Sequence, residues 1–268
     1  VEDGVSITGL GNEVSFIGGV GGILADGAAE IEYCYSGADL TATAANAYIG
    51  GIVAHGNSMG NTVITSCGAT GTFTLRNGGT VGGVAGSANA ASAGEGNAFL
   101  TNSFFFGSIE GSPTNVGGVV GITTRTDTVD AYFCIENGIE ATVENDGAVE
   151  AGGDAFRSGE FAYLLVGGTG AHQNIWTQDA EKDHPMLGSP SYYPATVTAQ
   201  GGGSASIDGK TAGIYLGEGN TVSVTATPDS YENEEYGPQY AYVLTSLTVN
   251  GVEQEGTSFA MPDDEAEI

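Results

Sequence analysis

Two aspartates, Asp127 and Asp130, are the residues of this sequence best placed for catalysis. A pair of carboxylates on one face of a β-structure can hydrolyse a glycosidic bond, and with Ca²⁺ such a face can serve a polysaccharide lyase. Threonines flank Asp127 in the stretch "TDTVD", so a solvated turn is the favoured interpretation. We therefore predict no catalytic residue and no enzyme, and keep a polysaccharide lyase or glycosidase as the alternative.

An acidic turn, "ENDGAVEAGGD", could hold Ca²⁺ through Asp146 and Asp154. Carboxylate oxygens are preferred Ca²⁺ ligands, but the spacing here fits neither an EF-hand loop nor a nonapeptide repeat. We expect no cofactor, and Ca²⁺ at this turn stays the open alternative, with the metal-binding residues unassigned.

The three histidines, His55, His172 and His184, show no pair at the helical or hairpin spacing of a metal site. His184 follows Asp183 and could imitate a catalytic pair, but we expect a surface histidine there. No serine lies in a Gly-x-Ser-x-Gly pattern. The sequence therefore predicts neither a zinc or copper centre nor a hydrolytic triad.

The charge of the chain limits its partners. Aspartate and glutamate number 33 against 5 lysines and arginines, which gives a formal net charge of −28. Such a surface repels phosphate backbones and anionic lipid head groups, so we expect no nucleic-acid partner and favour neutral glycans or basic protein patches. Because no apolar run approaches about 18 residues, we expect no membrane insertion.

Length and composition predict a folded, glycine-rich chain. The 268 residues are 40% hydrophobic, which is enough for a substantial core. The 46 glycines follow no Gly-X-Y period, so collagen is excluded. The chain begins at Val1 without methionine, and we interpret it as a fragment of a longer protein.

Glycine pairs recur in the first half of the chain at nearly constant spacing. They lie in four hexamers: "IGGVGG" (17–22), "IGGIVA" (49–54), "VGGVAG" (81–86) and "VGGVVG" (116–121). The first glycines of successive pairs are 32, 32 and 35 residues apart. A fixed period of this length is typical of a repeat architecture. No Lys-Ser or Lys-Thr follows any hexamer, so a phosphate-binding loop is rejected.

Each hexamer is followed by a second recurring block. Polar turns of small residues lie between the blocks, and the blocks themselves show the short alternations of apolar and polar residues that are typical of strands. We assign one equivalent position to each block: Cys34, Cys67, Phe104 and Cys134. This pattern predicts a parallel β-solenoid of about four coils, stacked roughly 4.8 Å apart. The glycines are expected to supply positive φ or close backbone approach at its corners. We expect Cys34 and Cys67 in register and Cys134 as a buried free thiol two coils further along.

The units resemble the GLUG-motif repeats of bacterial surface adhesins, in which "GGVVG" precedes a small residue or Cys, a turn and "GxI". The resemblance covers residues 4 to about 143 as four units, preceded by the tail of another, "GVSITGLGNEVSF". It implies a non-enzymatic, extracellular protein of the bacterial cell surface. Its repeats would serve as a stalk, or as a face that binds a host or environmental glycan or protein. We expect a monomer.

After the repeats, residues 154–168 predict one amphipathic helix. Ser158 is its expected N-cap, and Gly167 its end. We expect this helix and the following segment to cap the end of the solenoid, with Trp176 and Leu187 as packing anchors. The helix and segment are similar to those of related adhesins at seven positions in order: Gly159, Glu160, Leu164, Trp176, Gln178, Pro185 and Leu187.

The remaining chain predicts a linker and a second module. The stretch "GSPSYYPA" (188–195) is rich in turn formers, and Asn250-Gly251 between β-formers predicts a primed hairpin turn. The stretches "VSVTATP", "SLTVNG" and "TSFAMPDDEAEI" resemble small bacterial repeat domains related to internalin B-repeats. This resemblance implies a β-grasp or sandwich-like spacer, truncated at its end. We therefore expect three parts: 1–153 solenoid, 154–190 helical cap and linker, and 191–268 all-β module.

Overall fold

The protein is mostly β-structure, with parallel sheets in its first half and short antiparallel pairings near its end. The computed structural model describes residues 2–268 apart from positions 12, 26–27, 58–60, 88–97, 123–125, 144–147, 167–174, 180, 212, 234–236 and 242. Among the described residues, helix occurs only as two short α-helices and one 3₁₀ turn. The prediction of a β-rich chain is confirmed.

Four consecutive segments of the chain follow the same path, and each such segment is a pass. The first pass contains β1 (Ser6–Gly9), β2 (Val14–Gly18), β3 (Gly21–Ala25), β4 (Ala29–Glu32) and β5 (Tyr35–Ser36). The second contains β6 (Asp39–Ala42), β7 (Asn46–Gly50), β8 (Val53–Asn57), β9 (Thr62–Thr65) and β10 (Gly68–Ala69). The third contains β11 (Thr72–Leu75), β12 (Thr80–Gly82), β13 (Ala85–Ser87) and β14 (Ala98–Phe105). The fourth contains β15 (Ser108–Gly111), β16 (Asn115–Gly117) and β17 (Thr126–Cys134), and β18 (Ala148–Ala151) follows it.

Each strand pairs in parallel with its equivalent in the next pass. The sheet orders are β1-β6-β11-β15, β2-β7-β12-β16 and β3-β8-β13, and the fourth sheet joins β4, β5, β9, β10, β14, β17 and β18. The glycine pairs are in register, because Gly18 aligns with Gly50, Gly50 with Gly82, and Gly82 with Gly117. The 32-residue period therefore marks strands that lie side by side.

Close approach, rather than positive φ, requires glycine at these pairs, because the four pairs have no positive φ. A Cβ on Gly50 would overlap the carbonyl oxygen of Val53, where the chain turns from β7 into β8. A Cβ on Gly83 would overlap the Gly118 carbonyl oxygen and the Phe105 ring. The first glycine of a pair permits the tight turn, and the second leaves room for the core.

A second corner is built without glycine. Tyr33, Ser66, Asn102 and Asp130 have φ of 54°, 50°, 50° and 49°, and each lies at the same place in its pass. Non-glycine residues with left-handed φ are uncommon, so four in register mark a corner set by the surrounding ladders. Glycine was expected at the corners, and this corner without glycine was not predicted.

Apolar side chains fill the space between the sheets. Leu40, Phe73, Ile49 and Val81 are fully buried there, in files contributed by successive passes. The rings of Phe73 and Phe105 stack with centroids 4.9 Å apart. These files supply the hydrophobic stabilisation of the repeats.

The cysteine file is the row in which Cys34, Cys67, Phe104 and Cys134 were expected to lie in register. The prediction is correct for the first two residues and wrong for the other two. Gly68 aligns with Tyr35 and with Phe104, so Cys67 lies beside Cys34 and beside Ser103. Phe104 is therefore one residue beyond the file, and Cys134 is three beyond it, because Ala131 aligns with Ser103. The alignment failed because the distance from the left-handed corner to the following glycine varies between passes. Cys134 is nevertheless a buried free thiol, as predicted.

The segment after β18 forms two helices where one was predicted. These are α1 (Gly153–Arg157) and α2 (Glu160–Leu164), separated by Gly159 at φ 84°. The predicted N-cap is wrong, because Ser158 is the C-cap of α1 and Gly159 is the N-cap of α2. The Ser158 hydroxyl nevertheless accepts the Glu160 N–H at 3.2 Å. Gly167, the predicted end, lies outside the described residues. A hairpin follows, formed by β19 (Trp176–Gln178) and β20 (Pro185–Leu187).

This helical segment and its hairpin lie along the side of the passes, whereas we expected a cap across an end. Trp176 is fully buried, with its ring centroid 5.3 Å from that of Phe104 in the third pass. Phe156, Phe161 and Leu187 belong to the same side cluster. The side is preferred because Phe104 and neighbouring aromatic rings, such as that of Tyr132, point outward from the passes there. Trp176 and Leu187 are the packing residues, as predicted.

A different segment covers the end of the fourth pass. The N–H groups of Thr142 and Val143 donate to the Val116 carbonyl oxygen at 2.8 and 3.0 Å. Ile139, which follows the 3₁₀ turn Ile135–Asn137, is 8% exposed and packs on the core. Residues 139–143 therefore take the capping position.

The last module consists of two three-stranded sheets and two hairpins. Its strands are β21 (Tyr192–Thr196), β22 (Gly203–Ile207), β23 (Ile214–Gly217), β24 (Thr221–Pro228), β25 (Ser230–Asn233), β26 (Gly237–Ala241), β27 (Thr248–Val249), β28 (Val252–Glu253), β29 (Ser258–Ala260) and β30 (Ala266–Glu267). Asn250 and Gly251 have φ of 50° and 77° between β27 and β28, which confirms the primed turn.

The predicted linker is wrong for residues 192–195. They form most of β21, the central strand of the sheet β23-β21-β30. Tyr193 and Ala195 are buried in the core of the module. Turn-forming composition misled the interpretation, because Pro194 occupies a strand position that tertiary packing enforces.

Candidate functional site

The outward face of the sheet β1-β6-β11-β15 is a repeated polar surface, called the hydroxyl face below. Its inward residues are apolar, and the fully buried ones include Leu40, Phe73 and Leu75. The outward residues are polar in every strand, and all except Asp39 and Glu110 carry a hydroxyl: Ser6, Thr8, Asp39, Thr41, Thr72, Thr74, Ser108 and Glu110. Alternation along each strand therefore separates core from polar surface.

The strand register arranges these residues in two rows. One row is Ser6, Asp39, Thr72 and Ser108, and the other is Thr8, Thr41, Thr74 and Glu110. Neighbours in a row are about 4.8 Å apart, and the rows are about 6.6 Å apart along the strands. The hydroxyl face thus presents a regular two-row array of donors and acceptors.

Hydrogen bonds fix the first row. The Asp39 carboxylate accepts the Thr72 backbone N–H at 2.7 Å, and the Ser108 hydroxyl donates to the Thr72 hydroxyl at 3.1 Å. Because these side chains are held in place, they lose little conformational freedom when a ligand binds. The face can make many weak hydrogen bonds to a long partner in parallel.

A titratable network ties the first pass to the hairpin. Asp3 accepts hydrogen bonds from the Tyr35 hydroxyl at 2.8 Å and from the Lys182 ammonium at 2.7 Å. The Tyr35 hydroxyl also lies 2.9 Å from the Thr70 hydroxyl and 3.5 Å from Nε2 of His184. These residues are far apart in the sequence, so the network fastens the hairpin across the passes.

The pKa values of this network follow from burial and pairing. The hydrogen bond from Lys182 is the main cause that lowers the pKa of Asp3. Burial raises the pKa of Tyr35 and lowers that of His184. His184 is 7% exposed, so the prediction of a surface histidine is wrong. Its ring stacks on Tyr35 at a centroid distance of 5.7 Å, and aromatic packing explains why it is buried.

His55 lies in a half-buried aromatic group on the sheets of β7 and β8. Its ring centroid is 4.8 Å from that of Tyr48 and 5.0 Å from that of Phe16, and burial lowers its pKa. Phe16 and Tyr48 stack with centroids 5.4 Å apart. These rings face one another, so the group packs two sheets together.

The structure describes only one residue of each predicted carboxylate pair in full. Asp130 is exposed at the left-handed corner, and Asp127 lies in β17 with a side chain outside the described part of the chain. Asp154 pairs with Arg157 at 2.8 Å, and Asp146 and His172 lie outside the described residues. Within the described residues, no group of three His, Cys, Asp or Glu is arranged to hold a metal ion.

Cys67 and Cys134 are buried thiols, whereas Cys34 is half-buried. Burial raises the pKa of Cys67 to about 12 and raises that of Cys134. The thiolate is the reactive form, so a raised pKa lowers reactivity at neutral pH. Their role is packing.

Comparison of the chain with family models, with curated proteins and with solved structures gives no match. The candidate site therefore rests on the geometry alone. In the described part of the chain, no helix is long and apolar enough to span a membrane.

Sequence reasoning missed the hydroxyl face, although a signal was present. The stretches "SIT", "DLT", "TFT" and "SIE" each place polar residues on both sides of an apolar one, at the repeat period. The network of Asp3, Tyr35, Lys182 and His184 had no such signal, because its members are isolated in the sequence and meet only through tertiary packing.

Proposed function

We propose that residues 1–153 form a parallel β-solenoid that serves a non-enzymatic, adhesin-like protein of the bacterial cell surface. The in-register glycine pairs and the parallel ladders support the solenoid assignment. The helical segment (154–190) braces its side, and the module (191–268) acts as a spacer.

The hydroxyl face is the observation that carries this proposal. It repeats one polar pattern in four adjacent strands, so the same ligand unit can be bound several times along the stack. Parallel weak contacts of this kind suit a polymeric or surface-bound partner. Enzymes instead need convergent groups with tuned protonation.

The charge favours a neutral glycan, or a protein with a basic patch, as the partner. The formal net charge of −28 repels anionic polymers. The hydroxyls of the face can donate hydrogen bonds to sugar hydroxyls. Its hydroxyls and carboxylates can accept hydrogen bonds from sugar hydroxyls or from basic side chains.

A binding screen against immobilised neutral glycans and basic host proteins tests the proposal. We expect saturable binding that weakens at least about tenfold when Thr8, Thr41 and Thr74 are all changed to Ala, because parallel contacts are lost together. The matched control changes Ser223 and Thr225, which are exposed on β24, to Ala. Binding that the triple variant retains, or the absence of any saturable ligand, would contradict the proposal.

A further inference from the structure

Cys34 and Cys67 are neighbours in the fold although they are far apart in the sequence. Tyr35, which follows the first cysteine, aligns with Gly68, which follows the second. The Gly68 N–H donates to the Cys34 carbonyl oxygen at 2.9 Å. On the other side of the cysteines, β4 and β9 are paired in the same register. The strands on both sides therefore hold the two cysteines directly opposite each other, in adjacent passes.

Both side chains point toward the core of the passes. Cys67 is fully buried in the core cluster, and Cys34 packs against that cluster. The Cys67 sulfur lies 3.7 Å from the Ile31 carbonyl oxygen, so it reaches from the second pass to the backbone of the first. The Cys34 sulfur lies 3.3 Å from the Glu32 carbonyl oxygen. The two sulfurs therefore lie beside consecutive residues of one strand.

The spacing of the two residues suits a disulfide bond with slight strain. Parallel strands lie about 4.8 Å apart, and the Cα atoms of disulfide-bonded cysteines are about 4.4–6.8 Å apart. The Cβ atoms of a relaxed disulfide are about 3.5–4.5 Å apart, so the bond requires the two passes to approach by a few tenths of an ångström. Strain of this kind makes a disulfide easier to reduce.

Cys134 is the contrast within the same chain. It belongs to the side cluster, whereas Cys67 belongs to the core, so the two thiols lie on opposite sides of the fourth sheet. The residue in register with Cys134 is Ala151, which has no sulfur. Of the three cysteines, only the pair in the first and second passes is placed to react together.

We propose that Cys34 and Cys67 form a reversible disulfide that ties the first pass to the second, by exchange with a small disulfide such as glutathione disulfide. One cysteine thiolate attacks a sulfur of the oxidant, forms a mixed disulfide and expels one glutathione thiolate. The other cysteine thiolate attacks the cysteine sulfur of the mixed disulfide and expels the second glutathione thiolate. Two cysteines are oxidised, the oxidant is reduced to two glutathione molecules, and these take up the two protons that the cysteines release.

The burial of the pair slows this exchange but does not prevent the bond. Burial is the main cause that raises the pKa of Cys67, and the side-chain hydrogen bond with Cys34 raises it further. Because the thiolate is the attacking form, exchange in the folded chain is slow at neutral pH. During refolding both thiols meet the oxidant before the passes pack. The inference does not depend on the proposed binding function, since it concerns the interior of the passes.

Refolding of the unaltered chain in glutathione redox buffers is the experiment. The chain is unfolded in urea, refolded at increasing ratios of oxidised to reduced glutathione and quenched in acid, and its free thiols are alkylated. Peptide mass spectrometry then identifies the disulfides. We expect Cys34 to be bonded to Cys67 in most molecules at oxidising ratios, with Cys134 alkylated. In urea at the same ratio, bonded and free forms should differ at least about tenfold from this result, because the unfolded chain does not hold the two thiols together.

Reversibility is tested on the refolded, oxidised chain. We expect excess reduced glutathione to break the bond while circular dichroism shows that the chain remains folded. Cys134→Ser is the matched control and should leave the bond unchanged. Cys67→Ser should leave two thiols that stay unlinked in the folded chain. Cys34→Ser, at the half-buried position, repeats this test if Cys67→Ser does not fold.

A bond that forms no more readily in the folded chain than in urea would overturn the proposal. Bonds to Cys134 in equal amount, or glutathione retained on either cysteine in place of the bond, would overturn it as well. A bond that resists reduced glutathione until the chain unfolds would overturn its reversibility, and a permanent structural disulfide would take its place.

Discussion

At the scale of single residues, the second glycine of each pair is a packing residue of the core. Gly83 and Gly118 adopt no positive φ, so a larger residue is not excluded by the backbone conformation. It is excluded by space: a Cβ on Gly118 would overlap the Phe133 ring, and one on Gly83 would overlap Phe105. The rings lie in closely packed passes and have little room to move.

Gly83→Val and Gly118→Val should each destabilise the chain by about 1–3 kcal/mol, the usual cost of overpacking a core. Thr8→Val is the control, because it places the same side chain on an exposed strand position. Urea unfolding followed by circular dichroism measures the difference. Equal stability of all three variants would contradict a steric role for the glycines.

The residues also show what a single sequence can and cannot predict. Glycine pairs recur as identical letters at one period, and their alignment in the structure was predictable. The left-handed corner was not, because Tyr33, Ser66, Asn102 and Asp130 share neither size nor charge. Their common φ arises from the ladders on both sides, and those ladders exist only after the passes have stacked.

At the scale of elements, the hairpin of β19 and β20 is held to the passes by groups that titrate. His184 packs against Tyr35, Phe104 and Phe106, and its Nδ1 lies 3.1 Å from the Pro185 carbonyl oxygen. Burial lowers its pKa, so the unfolded chain binds a proton more readily than the folded one. Lys182 lowers the pKa of Asp3, so the contribution of Asp3 to stability changes at a more acidic pH than that of His184.

The contribution of His184 to stability should be fully present above a pH of about 6.5 and be lost as the pH falls below it. That of Asp3 should be lost only as the pH falls below its ordinary value of 3.8. Urea unfolding between pH 8 and pH 5 measures the first effect. His184→Phe keeps the ring packing and should reduce the loss of stability between pH 7 and pH 5.

His55 is the internal comparison for this experiment, because burial also lowers its pKa. His55→Phe should remove a separate part of the loss of stability at acidic pH. The double variant, which combines His55→Phe with His184→Phe, should remove both parts. A His184→Phe chain with an unaltered pH dependence would show that the hairpin is fastened by Asp3 and Lys182 alone.

The two errors in predicting where elements lie have one cause in common. The helical segment was recognised by its apolar residues, but periodicity does not say which surface those residues meet. They pack on the side because Phe104 and Phe106 point outward from the third pass. Residues 192–195 were predicted to be a linker for the same reason. Their turn-forming composition is a local property, whereas the sheet in which they form a strand joins residues that are far apart in the sequence.

At the scale of the whole molecule, the choice between a binding protein and an enzyme depends on whether carboxylates converge. The position of Asp130 is explained by the left-handed corner. Tyr33, Ser66 and Asn102 lie at this corner in the other passes, and they share no chemistry with Asp130. Its neighbour in register, Asn102, is not ionisable. The broad polar pattern of the molecule is instead spread over four strands of the hydroxyl face, at a constant spacing.

We therefore expect the whole chain to bind its partner without turning it over. Incubation with pectic, alginate and mucin-type polysaccharides, with and without Ca²⁺, should release no shortened chains, as followed by size-exclusion chromatography and by the absorbance of unsaturated products. The net charge of −28 further opposes anionic substrates such as alginate. Asp127→Asn and Asp130→Asn are the matched variants, and Asp208→Asn, in the second module, is their control. Saturable cleavage that either of the first two abolishes and the control retains would replace the adhesin proposal with a carbohydrate-active enzyme, because a carboxylate pair would then carry the reaction.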